Sequence, residues 1–554
     1  MMKTKHNDMK KYLLWMLAIL VNIKSVFTDF GADQAYAVAT SYRHIMGDRM
    51  FGEMCEPHQT SAFLTDFLMT LYKVLVPDLT GVVIFLQVCG VFLNGIVAYC
   101  LYKELIHWIS GDLAQYISIF FFIFRPKQSV FPEFSNMQMM FAVLCLVCIL
   151  GYLRSMEKNW YLVGVAFFLS LQILSYPTCL INYVGITVFL GLFSNKKWKA
   201  VGILTGSCMI FAFSYVLIVL SQVGFEQLLA SVEFIVNADK SHVGNVFDIG
   251  YYLEGFGYGL IWIVGSLVLA FGLYRLSRKK ICYFTFLGAI LLLSEIIMII
   301  ATAKSNTDWS CQYFMVIPVV MILGICCYKC MENTVRKIYV LGMIMGFGSF
   351  VAVCSLTNLE LLSIISYLMP AAMVSLIPIY ERLKCAETKS KIKDGLILCI
   401  LLLVLFHRGM VVCGYANESG IKITPHVENF IRVGPAKGIV TSLQKCNEIK
   451  YSMEDWDANI QEDTVLVVVP WMLDSIVYVN EQTETATFST IDTPTYDENL
   501  LRYWERYPDK VPTVIAVKAW NNEITISQDT WIMQWINENY TQYEDGHYWR
   551  FYRK

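Results

Sequence analysis

Apolar stretches recur along the chain as far as residue 412, separated by short polar links, and beyond that point the pattern changes. A spanning helix needs roughly 20 apolar residues. On that measure the pattern predicts spans over 12–27, 81–101, 106–124, 137–153, 160–176, 179–193, 200–220, 258–274, 281–301, 313–328, 338–353, 359–379 and 396–412. That makes about thirteen crossings. The third is interrupted by His107 and Asp112, and the sixth is short. No small-residue cleavage pattern follows the first run, so the expectation there is a retained anchor.

Basic residues mark every second link. Lys3, Lys5, Lys10 and Lys11 precede the first span, and clusters follow at Arg154/Lys158, Lys196/Lys197/Lys199, Arg275/Arg278/Lys279/Lys280, Lys329/Arg336/Lys337 and Arg382 to Lys393. Lys and Arg near helix ends favour the cytoplasm. The expectation is a multi-pass plasma-membrane protein with its N-terminus cytoplasmic. The doubtful third span has to be counted, because dropping it would put the later basic links on the wrong side.

After residue 412 the chain changes character. "VLVVV" from Val465 and "TVIAV" from Thr513 are continuous apolar runs typical of buried strands, with helical patterns near 436–450, 496–507 and 530–539. The expected organisation is a transmembrane domain over 1–412, carrying a long first external loop over 28–80, and a small extracytoplasmic α/β domain over 413–554. The six tryptophans from Trp471 to Trp549 read better as packing residues than as a sugar platform.

Composition agrees and narrows the partners. Of 554 residues 56% are hydrophobic and 16% charged, with a mean hydropathy of +0.51. Membrane lipid is therefore the first partner. A net charge of -2 offers no broad basic surface for phosphate backbones and excludes nucleic acid. The 17 cysteines lie mostly inside apolar runs and read as packing residues. Only Cys55, Cys311 and Cys446 fall in polar segments. Glu295 and Arg408 are ionisable residues inside apolar runs, where such groups face protein or water.

The loop after the first span is longer and more polar than a simple return to the bilayer requires. "ADQAYAVATSYRHIM" from Ala32 predicts a helix with Tyr36, Thr40 and Arg43 on one face. Asp33 stands at its start and Asp29 four residues earlier, either of them a candidate helix cap. Gly47-Asp48 signals a turn. Glu56-Pro57-His58-Gln59 follows, and then 62–76, apolar apart from Asp66 and Lys73, predicts a helix lying on the membrane surface.

Asp33-Gln34-x-Tyr36, Gly47-Asp48 and Glu56-Pro57-His58 together resemble the first external loop of the GT-C superfamily of membrane glycosyltransferases, among them protein O-mannosyltransferases and aminoarabinose transferases. That pattern has Asp-Glu where this chain has Asp33-Gln34, and a double proline where it has Pro57 alone. The resemblance implies transfer of a sugar from a polyprenyl-phosphate donor to a hydroxyl of a glycan, lipid or protein acceptor, with inversion. Asp33 is then the general base with Asp29 in reserve, and Glu56 orients His58 or contacts the sugar. Tyr36, Arg43, His58 and Gln59 face the substrate. In the late loop, Lys304, Gln312 and Tyr313 resemble the basic residue and tyrosine of these enzymes. A divalent metal is left open, since no His/Asp cluster has metal-ligand spacing. The competing expectation is a transporter or flippase of lipid-linked saccharides, which would show internally related halves; none is visible.

Overall fold

A computed structural model describes residues 2–28, 30–125, 129–155, 158–238, 249–277, 283–305, 316–355, 364–385, 391–413, 421–423, 429–469, 472–481, 483–490, 496–520 and 523–554. The chain is mostly helical, with an α/β region at its C-terminal end. The helices of the apolar part are α1 (Met2–Thr28), α2 (Ala32–Met46), α3 (Phe63–Leu75), α4 (Val82–Leu105), α5 (Gly111–Ile123), α6 (Phe134–Arg154), α7 (Trp160–Ser175), α8 (Leu180–Phe193), α9 (Lys197–Val223), α10 (Phe225–Ala238), α11 (Ile249–Leu276), α12 (Tyr283–Ser305), α13 (Val316–Cys326), α14 (Asn333–Cys354), α15 (Met369–Cys385) and α16 (Lys391–Met410).

Each predicted span overlaps one of these helices, but the third shortens to α5, with 106–110 in a turn, and the last ends at Met410. Among the described residues, four are long and apolar enough to cross a membrane by length and composition: α4, α6, α9 and α14. Tyr12–Thr28 and α2 form a pair bent by 68°. In α9 only 11% of the apolar window is buried inside the protein, and Met209, Ile210 and Phe213 are about two-thirds exposed. An apolar surface this continuous needs lipid against it.

Contacts at the two ends of α4, α5 and α6 decide how the chain threads. At one end the Val83 amide donates to the Pro435 carbonyl at 3.2 Å, which places the start of α4 against the C-terminal region. At the other, Arg154 of α6 forks onto Glu104 of α4 with two bonds of 2.9 Å, and the Trp108 indole donates to the same carboxylate. Helices α4 and α6 therefore run in the same direction, and α5 between them runs back. At about 1.5 Å per residue α5 is too short to cross a membrane alone. Its C-terminal carbonyls are capped by Arg125, which donates to Phe121 and Phe124. Lys24 caps α16 in the same way, donating to Gly409. Both cations complement a helix C-terminus. Arg408 is 1% exposed near the end of α16 and does not reach out to water. The side chain of Glu295 lies outside the described residues.

The C-terminal region is built on a mixed sheet. Strand β1 (Val411–Cys413) pairs with β2 (Ile421–Ile423), and β3 (Asn429–Phe430) with β4 (Val440–Thr441). The larger sheet has the order β6 (Thr483–Thr485), β5 (Asp463–Val468), β7 (Val514–Trp520), β10 (Trp549–Arg553), β9 (Thr541–Asp545), with β8 (Glu523–Ile524) on β7. The two apolar runs read from the sequence are its parallel centre, β5 and β7. Helices α17 (Leu443–Asn459), α18 (Glu498–Arg506) and α19 (Trp531–Asn539) pack on it. The first of these starts seven residues later than predicted. The stretch before it makes the β3–β4 hairpin instead, turning through Gly434 and Gly438, both at positive φ. Trp456 and Trp549 are fully buried and Trp504 nearly so.

Position 90 joins this threading to the site described below. An ideal Cβ at Gly90 of α4 would sit 1.9 Å from the Val130 carbonyl oxygen, so the segment leading to Pro132 and Glu133 lies directly on the helix backbone. Gly90→Ala is expected to cost about 1–3 kcal/mol through overpacking, read as a lower thermal midpoint in detergent. Gly191→Ala, where a Cβ meets nothing within 4 Å, is the control and should leave the midpoint unchanged or raise it. Equal midpoints for both variants would refute the close approach.

Candidate active site

The predicted first-loop helix is α2, Ala32–Met46. Its start is set by Gly31 and Gln34: the Gln34 carboxamide accepts the Gly31 N–H at 2.7 Å. Asp33 does not cap it. Asp33 sits half-buried in its first turn, and Asp29 lies outside the described residues. Gly47 ends the helix at φ 115, donating to the carbonyls of Arg43 and His44. Helix α3 lies alongside with Thr65, Leu68 and Met69 buried. Phe67, Leu71 and Val74 are exposed at spacings of four and three, the stripe expected of a helix resting on a membrane surface.

Between α2, α3 and the start of α6 is a narrow crevice lined by Tyr36, Ala37, Thr40, His58, Ser61, Ala62, Thr65, Pro132 and Glu133. Asp33 lies three residues before Tyr36, on the same face of α2. His58 stacks on Phe134 at 4.2 Å with the rings 6° from parallel, and leans on Tyr176 at 5.2 Å. Thr40 Oγ1 is buried and makes no hydrogen bond among the described residues. The Tyr367 hydroxyl donates to Ser135 at 2.6 Å, and both Asp33 and Glu133 act electrostatically on it, which brings the two carboxylates to one neighbourhood.

Glu133 is the residue that the sequence reading missed. It is 1% exposed, and its carboxylate caps α6 by accepting the amides of Ser135 at 2.6 Å and Asn136 at 2.9 Å. The available signal was an acid directly before a helix start, after a proline. Capping alone would not have marked it as a crevice residue, because the other wall is some seventy residues away in sequence.

Arg43, Glu56 and Gln59 lie elsewhere. Arg43 is fully buried and donates to Asp48 at 2.9 Å, Glu56 at 3.1 Å, the Glu53 carbonyl at 3.2 Å and the Thr487 carbonyl at 2.8 Å. Glu56 accepts in addition from the Ser489 hydroxyl at 2.7 Å, the Thr490 amide at 2.8 Å and the Thr490 hydroxyl at 3.1 Å. Burial by itself would lower the Arg43 pKa, but Asp48 and Glu56 outweigh it and raise it. Burial pushes the Glu56 carboxyl up, against the pull of Arg43, Ser489 and Thr490. Gln59 is buried and accepts the Phe51 amide at 3.1 Å. These three side chains tie the loop to itself and to the C-terminal region, where burial leaves no face for a substrate. Cys55 is buried in the same seam, its thiol pushed up to about 12 by burial, and its amide donates to Phe488 at 2.8 Å. Of the late-loop residues, Gln312 and Tyr313 and the side chain of Lys304 lie outside the described residues.

Among the described residues no group of three or more His, Cys, Asp or Glu is placed to hold a metal ion. The donor set required for one is not assembled by Asp33 and Glu133 alone, and no catalytic step is routed through a metal here.

No protein-family model and no curated protein matches the chain. Solved structures do. One is the archaeal oligosaccharyltransferase AglB from Archaeoglobus fulgidus in complex with an inhibitory peptide and a dolichol-phosphate, at 11% identity over 92% of this chain and 70% of that one, TM-score 0.44. Another is the Archaeoglobus fulgidus oligosaccharyltransferase tethered to an acceptor peptide with the NVT sequon, at 11% identity over 92% and 69%, TM-score 0.45. A third is ArnT from Cupriavidus metallidurans in the apo state, at 12% identity over 98% and 97%, TM-score 0.37. AglB and ArnT are GT-C glycosyltransferases. With all three TM-scores below 0.5, the functional conclusion has to come from the chain's own residues.

One ionisable pair beside the crevice gives the loop a pH dependence. His44 Nδ1 lies 2.6 Å from Asp66 Oδ2, joining α2 to α3 one turn from the Ser41–Thr65 hydrogen bond of 2.6 Å. The hydrogen bond to Asp66 raises the His44 pKa, and burial raises that of Asp66. Both groups hold protons more tightly in the folded chain. The contribution to stability is therefore present below the unfolded histidine value of about 6.5 and is lost as pH rises through the raised folded value. The midpoint difference between wild type and His44→Gln should be larger below the unfolded histidine value of about 6.5 and should shrink as pH rises through the raised folded value. A difference that stays constant over that rise would refute the pairing.

Proposed function

We propose that the protein is a GT-C-type membrane glycosyltransferase that moves a sugar from a polyprenyl-phosphate donor to an acceptor hydroxyl, with inversion, at the crevice under its first loop. The observation that carries this reading is the meeting at one crevice, beside lipid-facing helices, of α2's Tyr36 and Thr40 with His58 and Glu133, and of Asp33 one turn away. A crevice lined by a carboxylate and a histidine, with a second carboxylate one turn away, suits a reaction that passes a proton from an alcohol and leaves a charged phosphate. It stands where a lipid tail can remain in the bilayer while the sugar reaches the protein.

In this mechanism the acceptor oxygen attacks the anomeric carbon and its proton passes to the Asp33 carboxylate. The bond from that carbon to the phosphate oxygen breaks, and the lipid phosphate leaves with the electron pair. A single displacement inverts the centre. His58, held flat against Phe134, is the proposed donor to the phosphate oxygens, the role in which a fixed donor stabilises developing charge. Tyr36 and Thr40 offer hydroxyls to the sugar. Lys304, with Gln312 and Tyr313, remains the proposed late-loop contribution to phosphate binding. The proposed orientation puts this face and the C-terminal region outside the cytoplasm. It follows the basic links, with an even number of crossings between the first loop and the tail.

Asp33→Asn is the direct test. It keeps size and leaves the cap intact, since Gly31 and Gln34 supply it, and it should lower sugar transfer ~10²–10⁴-fold, the usual loss for a general base. Release of lipid phosphate from a radiolabelled polyprenyl-phosphate sugar is the readout. Asp29→Asn at equal expression is the comparison. Full activity in Asp33→Asn with none in Asp29→Asn would move the base four residues upstream, and activity in both would remove the first loop as the site. Movement of donor across vesicles without release of lipid phosphate would favour the flippase.

A further inference from the structure

Glu56 lies outside the crevice, yet it is two residues from His58. Its carboxylate accepts from α2 through Arg43 and from Ser489 and Thr490, which stand 433 and 434 residues later in the chain. The stretch that reaches it is otherwise joined to the loop through its backbone: Thr487 accepts from Arg43, and Phe488 accepts the Cys55 amide. Tyr503 adds a further tie, its hydroxyl donating to the Glu53 carbonyl at 2.9 Å, and Lys510 pairs with Asp48 at 2.5 Å. Pro57, between Glu56 and His58, has its φ fixed by the ring. A tight turn follows, with the Gln59 amide on the Glu56 carbonyl at 3.1 Å and the Ser61 amide on the His58 carbonyl at 2.9 Å.

The two ends of this short segment therefore have different masters. The plane of the His58 ring is set by Phe134, the first residue of α6. The position of its backbone is set by Glu56. We infer that Glu56 is a positioning residue through which the segment 487–490 of the C-terminal region holds His58 in the crevice, so that this region is part of the scaffold of the site as well as a covering domain. The inference rests on the reading that His58 meets the donor phosphate. It assigns the C-terminal region a part in donor binding that is separate from any contact with substrate.

The test is a double-mutant cycle on the full-length chain in lipid nanodiscs, with geranylgeranyl phosphate as the probe and its dissociation constant as the readout. His58→Ala should weaken binding roughly tenfold or more, the loss expected for one charge-assisted hydrogen bond. Glu56→Gln should weaken it by a similar factor, and Ser489→Ala by a few-fold. In the His58→Ala background neither should weaken it further, because both act through His58. Additive losses, or unchanged binding in Glu56→Gln and Ser489→Ala, would overturn the inference while leaving the site in place. Wild-type affinity in His58→Ala would overturn the site reading and the inference with it. Ser489→Ala deletes a single hydrogen bond, so the cycle closes on a folded protein even where Glu56→Gln does not fold.

Discussion

The Arg43–Glu56 ion pair, with side chains 1% and 0% exposed, is the constraint on which the first loop and the C-terminal region depend. Two charges taken out of water lose several kcal/mol of hydration each, and their attraction offsets this only when the remaining donors and acceptors are also met. Here they are met from three places: Asp48 at the end of α2, the loop carbonyl of Glu53, and the segment Thr487–Thr490. None of the three suffices alone. The loop can therefore adopt this course only with the C-terminal region docked on it, and the docked region has little choice of where to sit.

This explains why a polar layer rests stably on an apolar body. Helix α10 joins the same layer: Phe234 packs on Phe488 and Tyr503, and Gln227 bonds the Tyr507 hydroxyl at 2.5 Å. Its other face exposes Phe225, Leu229 and Val232 at spacings of four and three, matching the stripe on α3. Two amphipathic helices from distant parts of the chain thus present apolar faces while their inner faces hold the loop and the sheet. Segments following α1, α9 and α16 can meet in one layer only if an even number of crossings separates them. The direction of α5, fixed by the Glu104–Arg154 clasp at the far end, satisfies that requirement where its own length does not.

What could be read from the sequence was whatever short-range pattern determines. The bounds of α2 followed from an alanine-rich stretch closed by Gly47, those of α3 from an apolar run broken at Asp66 and Lys73, and the central strands from two β-branched runs. The positions of individual polar side chains were less legible. Asp33 as a cap was a sound local expectation, displaced by Gly31 at the N-cap and Gln34 in the first turn. Arg43 and Glu56 looked like ligands because a buried carboxylate and guanidinium give the same local signal whether their partner is a substrate or a segment more than 400 residues away. Glu133 was passed over for the opposite reason, since its local role as a cap is complete and only the tertiary fold places it opposite His58. A tryptophan count could not separate Trp549, in the core, from Trp531 and Trp535, which stack at its edge 11° from parallel.

Glu133 in the crevice and Asp33 one turn from it are set apart by their surroundings. Glu133 is buried and its oxygens are turned toward the backbone amides that open α6, so its charge is already answered and its geometry fixed by the helix it caps. It is well suited to hold negative charge at one wall and to fix Phe134, and through Phe134 the plane of His58. Asp33 belongs to the first turn of a helix whose cap is supplied by other residues, and it is half-buried and within reach of water. Asp33 is not tied into a helix terminus as Glu133 is, and this difference in local attachment is what favours it as the proposed base.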